Sequence, residues 1–266
     1  MVFPTLNEEV LLSAEFFSKL SSCHAFKGCV GCIDGLLCQI KVPSSNETGH
    51  VKSYFSGHYF CYGVNVQATC DASCRFTSVS VLCPGGANDV RAYSASPLEE
   101  IIEGLPPGFY VLGDNAYICT DRMLTFYSGR NKFEMSKDAY NFHLSQLRIR
   151  IEQTFGLLVN KWRIFKAPLE VALEKVPMVI HAAMRLHNFC IDNRDWEIPA
   201  RQQPADIATY VEDYMSYDHS SIHGHGTPLT ETQRFGSSRL REFIRNDLQR
   251  QGIQRPMYNI CRNNTN

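Results

Sequence analysis

Tyr140, Leu144, Leu147, Ile151, Phe155, Leu158 and Trp162 recur at steps of three and four residues. That spacing predicts an amphipathic helix over 138–165, with an apolar stripe about six turns long. Shorter helices are predicted over 7–20, over 89–103 after the Pro84-Gly85-Gly86 breaker, and over 173–193 with Pro177 in the first turn. A last helix is predicted over 237–251, stopped by Gly252. Between them lie segments rich in β-branched, aromatic and small apolar residues. Runs over 29–35 and 36–42 read as strands, with Asp34-Gly35 as a bend or hairpin turn. Runs over 59–69 and 75–83 complete an antiparallel three-strand opening. The short apolar run 109–112 ends at Gly113-Asp114 and reads as a buried strand added in parallel. The pattern predicts an α/β fold: a mixed five-stranded sheet flanked by helices. Residues 1–27 read as a lead-in, 28–196 as the core, and 197–266 as a polar linker followed by an Arg-rich helix.

Composition narrows the class. The chain has 266 residues, 44% hydrophobic and 20% charged, which excludes disorder and collagen-like repeats. No run of about 18 apolar residues is present, so no membrane span is expected. The first residues lack a basic stretch followed by an apolar one, so no signal peptide is expected. Net charge is −1, yet the distribution is uneven: −6 over 1–121, +6 over 122–166 and −1 over 167–266. Eleven cysteines without a secretion signal suit reduced thiols in the cytosol or nucleus. Cys29-x2-Cys32 and Cys70-x3-Cys74 have zinc-like spacings. In a strand, however, positions i and i+3 point to opposite faces, so these cysteines read as small buried hydrophobes. His219, His223 and His225 read as a solvated loop.

Three carboxylates stand out by context. Asp34 lies inside an apolar run, Asp114 follows a buried strand, and Glu152 sits mid-helix between Ile151 and Phe155. A bare carboxylate at such places is costly unless it has a partner. Three converging carboxylates offer oxygen ligands to divalent cations, and a pair of such ions suits phosphodiester chemistry. The order strand-Asp, strand-Asp, helix-Glu on this sheet is the logic of an RNase H-like nuclease. Arg148 shares a helix face with Glu152, and Arg150, Lys161, Arg163 and Lys166 continue the positive charge. They form either a phosphate-binding wall or a solvated face with an Arg148–Glu152 pair.

Several segments resemble, in order, the DDE-type transposases of the PIF/Harbinger class and the nucleases derived from them. They are Gly31-Cys32-Ile33-Asp34-Gly35, Tyr62 to Gln67, Pro84 to Asp89, and Leu105-Pro106-Pro107-Gly108 with Leu112-Gly113-Asp114-Asn115-Ala116-Tyr117. Tyr140-Asn141 with Leu147 to Glu152, and Leu186-His187-Asn188-Phe189, complete the set. The resemblance implies an RNase H-like, retroviral-integrase-like core in which Asp34, Asp114 and Glu152 are catalytic and bind two Mg²⁺ or Mn²⁺ ions. It also implies DNA as the substrate, with Arg148, Arg150, Lys161 and Arg163 on its backbone, and a nuclear location. Asp89 matches a recurrent acid of the family that would cap the next helix. His187 and Asn188 would serve packing rather than metal binding.

Two departures bear on activity. Leu36-Leu37 stands where the family has Thr and a polar residue, and Phe126 where it has Pro. About 27 residues precede the core, too few for the family's helix-turn-helix region. A separate helix-turn-helix or Myb-like protein is therefore expected as partner, with room for a homo-oligomer. The rival expectation is a domesticated or decayed remnant that binds DNA or such a partner without cleaving.

Overall fold

The computed structural model describes residues 1–129, 134–193, 207–216 and 238–256. Its centre is β1 (Cys29–Gln39), an eleven-residue strand paired on both sides. On one side β3 (Cys61–Cys70) runs antiparallel, with Asp34 opposite Ala68 and Gln39 opposite Gly63. β4 (Phe76–Pro84) pairs antiparallel with the far edge of β3. On the other side β5 (Tyr110–Leu112) runs parallel, with Cys32 opposite Leu112, and β6 (Met123–Leu124) follows parallel to β5. The five principal strands thus lie in the order β4-β3-β1-β5-β6. A two-residue strand, β2 (Phe55–Ser56), adds a sixth at the start of β3.

The 29–42 segment does not turn at Asp34-Gly35. Gly35 has another reason to be glycine: a Cβ there would collide with Asp89 Oδ1 and approach Gln67 Nε2 to 2.9 Å. Close approach, not a reversed φ, selects the residue.

Helices cover both faces. α1 (Asn7–Leu20) buries Val10 and Ala14 in a cluster with Val30, Ile33 and Val111. α2 (Asp89–Ser94) and α3 (Pro97–Glu103) join the same face. They replace one predicted helix, because Ser96 accepts a hydrogen bond from Leu98 N and Pro97 opens a new first turn. The opposite face carries α4 (Met135–Lys161), where Tyr140, Leu144, Leu147 and Ile151 are wholly buried. They meet Cys32, Val66, Ala68 and Leu112, the alternate residues of the strands beneath. Alternation therefore assigns each side chain of β3, and of β1 from Cys32 onward, to one face or the other, a fact that decides how the site is built.

Cys29 and Cys32 nevertheless both belong to the core cluster on the α4 side, because the β1–β5 register slips between Cys29 and Gly31. The strict alternation expected for them fails at that irregularity. Their thiols serve as donors: Cys32 Sγ gives a hydrogen bond to Leu147 O at 3.3 Å, and Cys29 Sγ to Gly31 O at 3.5 Å. Burial pushes the Cys32 thiol well above its ordinary pKa, so it stays neutral.

α5 (Val176–Asp192) ties β4 to the body. Asn188 Nδ2 donates to Phe76 O at 2.7 Å, and Phe76 N donates to Asn188 Oδ1 at 2.8 Å. His187 Nε2 pairs with Cys74 O at 2.8 Å. α6 (Ile207–Ser216) lies within the stretch expected to be unpacked linker. It is helical because Tyr210 and Tyr214 find core positions, and their hydroxyls donate to Gly108 O and Asp121. His219, His223 and His225 lie outside the described residues.

α7 (Arg239–Arg250) is capped by Ser238, whose side chain accepts from Arg241 N. Its arginines are largely engaged within the fold. Arg241 stacks on Tyr127 at 4.4 Å, Arg245 pairs with Glu242 at 2.9 Å, and Arg250 pairs with Asp247. Among the described residues no helix is long and apolar enough to cross a membrane.

Candidate active site

Asp34 lies on β1, and Asp114 lies just beyond the end of its parallel neighbour β5. Cys32 and Leu112 are partners, and Asp34 and Asp114 each follow by two residues. Asp34 lies on the α4 face by alternation, and its partner proves it: Arg148 Nη1 of α4 donates to Asp34 Oδ2 at 3.3 Å. The other arm of the same guanidinium, Nη2, makes a close ion pair with Glu152. One arginine thus joins the first and third carboxylates. Its guanidinium carbon lies 5.7 Å from the centre of the Phe126 ring, so the unusual Phe126 forms part of its seat.

The aspartates are anchored by the same device. Gly35 N donates to Asp34 Oδ1 at 2.8 Å, and Ala116 N donates to Asp114 Oδ1 at 2.8 Å. Each carboxylate spends one oxygen on a nearby backbone N–H, one residue on for Asp34 and two residues on, as in an Asx turn, for Asp114. Asp34 Oδ2 is left for Arg148, and Asp114 Oδ2 has no protein donor among the described residues.

Burial pushes the Asp34 carboxyl up to about 6, and the charges of Asp114 and Asp89 act in the same direction. The Gly35 N–H and Arg148 pull the other way without prevailing. Asp114 is raised too, chiefly by burial, with Asp89 and Glu152 adding to it. A group of carboxylates that hold one another's protons on is short of positive charge.

Among the described residues no three carboxylate, imidazole or thiol groups stand close enough, as placed, to enclose a metal ion. The donor set still fits a hard divalent cation. It offers only oxygens, it is short of positive charge, and it already draws a cationic side chain between two of its members. Glu152 is the more exposed member, with 48% of its side chain exposed against 21% for Asp34.

The four cations expected on DNA divide. Arg148 is committed to the carboxylates. Arg150 and Lys161 lie roughly 200° and 220° around the α4 axis from Arg148, at about 100° per residue, so they do not line the acids. Arg150 donates to Gln153 at 3.2 Å. Lys161 and Arg163 are exposed and make no ion pair among the described residues.

The opposite face of the sheet holds residues whose grouping the sequence did not disclose. Asn65 Nδ2 and Gln67 Nε2 donate to Asp89 Oδ1 at 3.1 and 2.9 Å, and Tyr117 donates to Gln67 Oε1 at 2.7 Å. Asp89 does not cap α2. That role belongs to Asn88, whose side chain accepts from Arg91 N. The available signal was the alternation of Asn65, Gln67 and Thr69 with Val64, Val66 and Ala68 in a fully apolar setting. Polar residues confined to one face of a central strand need a polar partner there.

A mixed sheet of this order, flanked by helices and carrying aspartates level on β1 and beyond β5, defines an RNase H-like nuclease core. The chain belongs to the DDE superfamily endonuclease family, whose model matches residues 33–188, more than half of its length. No curated protein and no solved structure matches it. Membership makes a transposase-type nuclease acting on DNA the functional class, and divalent metal ions are general in that superfamily.

Proposed function

We propose that this chain is the catalytic core of a Harbinger-class transposase or a nuclease derived from one, and that it cleaves DNA phosphodiesters at Asp34, Asp114 and Glu152. The observation that carries the reading is that Asp34 lies two residues past the last β1–β5 pair on β1 and Asp114 two residues past it beyond the end of β5, with Arg148 of α4 joining Asp34 to Glu152. The three acids would hold Mg²⁺ or Mn²⁺; when bound, such ions ease deprotonation of an attacking water and stabilise negative charge on the departing 3′ oxygen.

The chain's own residues supply the rest. Backbone N–H groups of Gly35 and Ala116 fix the rotation of the two aspartates, so they need no reordering when a phosphate arrives. α4, anchored through Leu144, Leu147 and Ile151, sets the height of Glu152. Arg148 offsets part of the charge of Asp34 and Glu152, and must release Glu152 before that acid takes another cation.

Lys161 and Arg163 would grip flanking duplex rather than the scissile phosphate. Lys161 lies nine residues beyond Glu152 on α4, about 14 Å along the axis. Replacing both with Gln is expected to weaken duplex binding and lower the salt slope by about 2. An unchanged slope would place the DNA elsewhere. The nucleus and a helix-turn-helix partner belong to the same proposal.

A remnant that binds without cutting is the second reading, favoured by the Arg148 bridge and by Leu36-Leu37. Calorimetric titration with Mn²⁺ separates the two. The nuclease reading requires binding that Asp34→Asn abolishes, and the remnant reading does not.

A further inference from the structure

β1 continues to Gln39, but its parallel neighbour β5 stops at Leu112. Past that level, at Asp34 and Gly35, β1 has no β5 partner among the described residues, which leaves a gap in the pairing. Arg148 and Glu152 come to it from the α4 face. From the other face comes Asp89, the first residue of α2.

Five residues hold Asp89 there or make room for it. Gly35 has no side chain where Asp89 Oδ1 sits. Asn65 and Gln67, 8% and 1% exposed, each donate to that same oxygen. Tyr117, 2% exposed, fixes Gln67 by donating to its Oε1, and Asn88 relieves Asp89 of the capping role. Burying an amide pair and a tyrosine to orient one carboxylate is costly unless that orientation matters. Asp89 then has the arrangement of Asp114: Oδ1 tied to donors and Oδ2 without a protein donor among the described residues.

We propose that Asp89 is a fourth acid of the cation site, presenting its second oxygen to the β1–β5 gap from the sheet face opposite Glu152. This rests on the metal-dependent reading of Asp34 and Asp114. It gives the site an acid held in a buried network on one face and an exposed one, Glu152, on the other.

Asp89→Asn is the informative change. The amide oxygen still accepts from Asn65 and Gln67, so the fold is retained and only the charge is lost. Mn²⁺ affinity of the full chain, measured by calorimetry and by the EPR signal of free Mn²⁺, is expected to fall about 10–100-fold with an unchanged melting temperature. Gly35→Ala, which displaces Asp89 without removing a charge, is expected to weaken Mn²⁺ binding as well. It keeps the question open to experiment should Asp89→Asn fail to fold. Asp192→Asn, at an exposed carboxylate 3.1 Å from Arg75, serves as the charge control and should bind like the parent.

Parent-like Mn²⁺ affinity in Asp89→Asn, with affinity lost in Asp34→Asn and Asp114→Asn, would overturn the role of Asp89 and leave the metal site standing. A drop in melting temperature with parent-like affinity would reduce Asp89 to a structural role and overturn it equally. A parent chain that binds no Mn²⁺ would remove the metal reading itself, and this inference with it.

Discussion

Asp34→Asn is expected to abolish cleavage and, at the same time, to make the protein more stable at pH 7. The loss of activity should be at least about a thousandfold, because the change removes a charged ligand from the centre of the site. The gain in stability follows from the raised carboxyl. Asp34 stands at about 6 in the fold against an ordinary value of 3.8. The folded chain therefore binds a proton more tightly than the unfolded one. The contribution of that proton is present in full below about pH 4 and is lost as pH rises through about 6. Each pH unit of difference is worth about 1.4 kcal/mol, so the ionised carboxylate costs roughly 2–3 kcal/mol at pH 7 without metal. Asparagine keeps the acceptor for Gly35 N and carries no charge. Thermal unfolding without divalent ions should show the variant ahead by about 4–10 °C at pH 7 and level with the parent at pH 4. A variant that is less stable at pH 7 would mean that the Arg148 pair outweighs burial.

Asn188→Ala is expected to have the largest effect on stability away from the acids. Its amide closes a two-way link to the backbone of Phe76, which is 1% exposed. Removing the amide leaves a buried N–H and a buried C=O unpaired, at about 1–3 kcal/mol each. A loss of roughly 2–5 kcal/mol is expected in chemical denaturation, with the β4 edge affected first. Mn²⁺ binding by the remaining folded fraction should be unchanged, since α5 meets β4 and not the acids. Lost metal affinity in a folded variant would show that β4 and α5 support the site more directly.

Periodicity gave the helices well, for a physical reason. The stripe from Tyr140 to Leu158 is buried throughout, and a helix that packs along its whole length writes its period into the sequence. β1 was harder. Asp34-Gly35 has the composition of a turn, yet glycine serves there to admit Asp89, a residue 54 positions away. Local chemistry cannot distinguish a glycine that bends the chain from one that clears space for a distant side chain. The Cys29–Cys32 register failed for a similar reason, because a β-irregularity depends on pairing with β5. The linker reading missed α6, whose order rests on Tyr210 and Tyr214 meeting the core.

The site was partly readable too. Asp34, Asp114 and Glu152 were singled out by where charge interrupts apolar runs, and the structure joins Asp34 to Glu152 through Arg148. The sequence placed Arg148, Arg150, Lys161 and Arg163 in one basic block. The helical period separates them: one faces the acids and two are turned about half a revolution away. Charge summed along a chain does not tell which face of a helix carries it. Asp89 was visible as an acid but not as a neighbour of Asp34, because only the fold of β3 against β1 brings them together.

The most direct test is nicking of supercoiled plasmid by the full chain, with Mg²⁺, with Mn²⁺ and with chelator, beside Asp114→Asn. Asp114 lies just beyond the end of β5 and has no ion pair to lose among the described residues, so its amide variant should fold like the parent. The account predicts relaxed and linear plasmid from the parent with either ion, none with chelator, and none from Asp114→Asn. Nicking by Asp114→Asn at the parent's rate would contradict it.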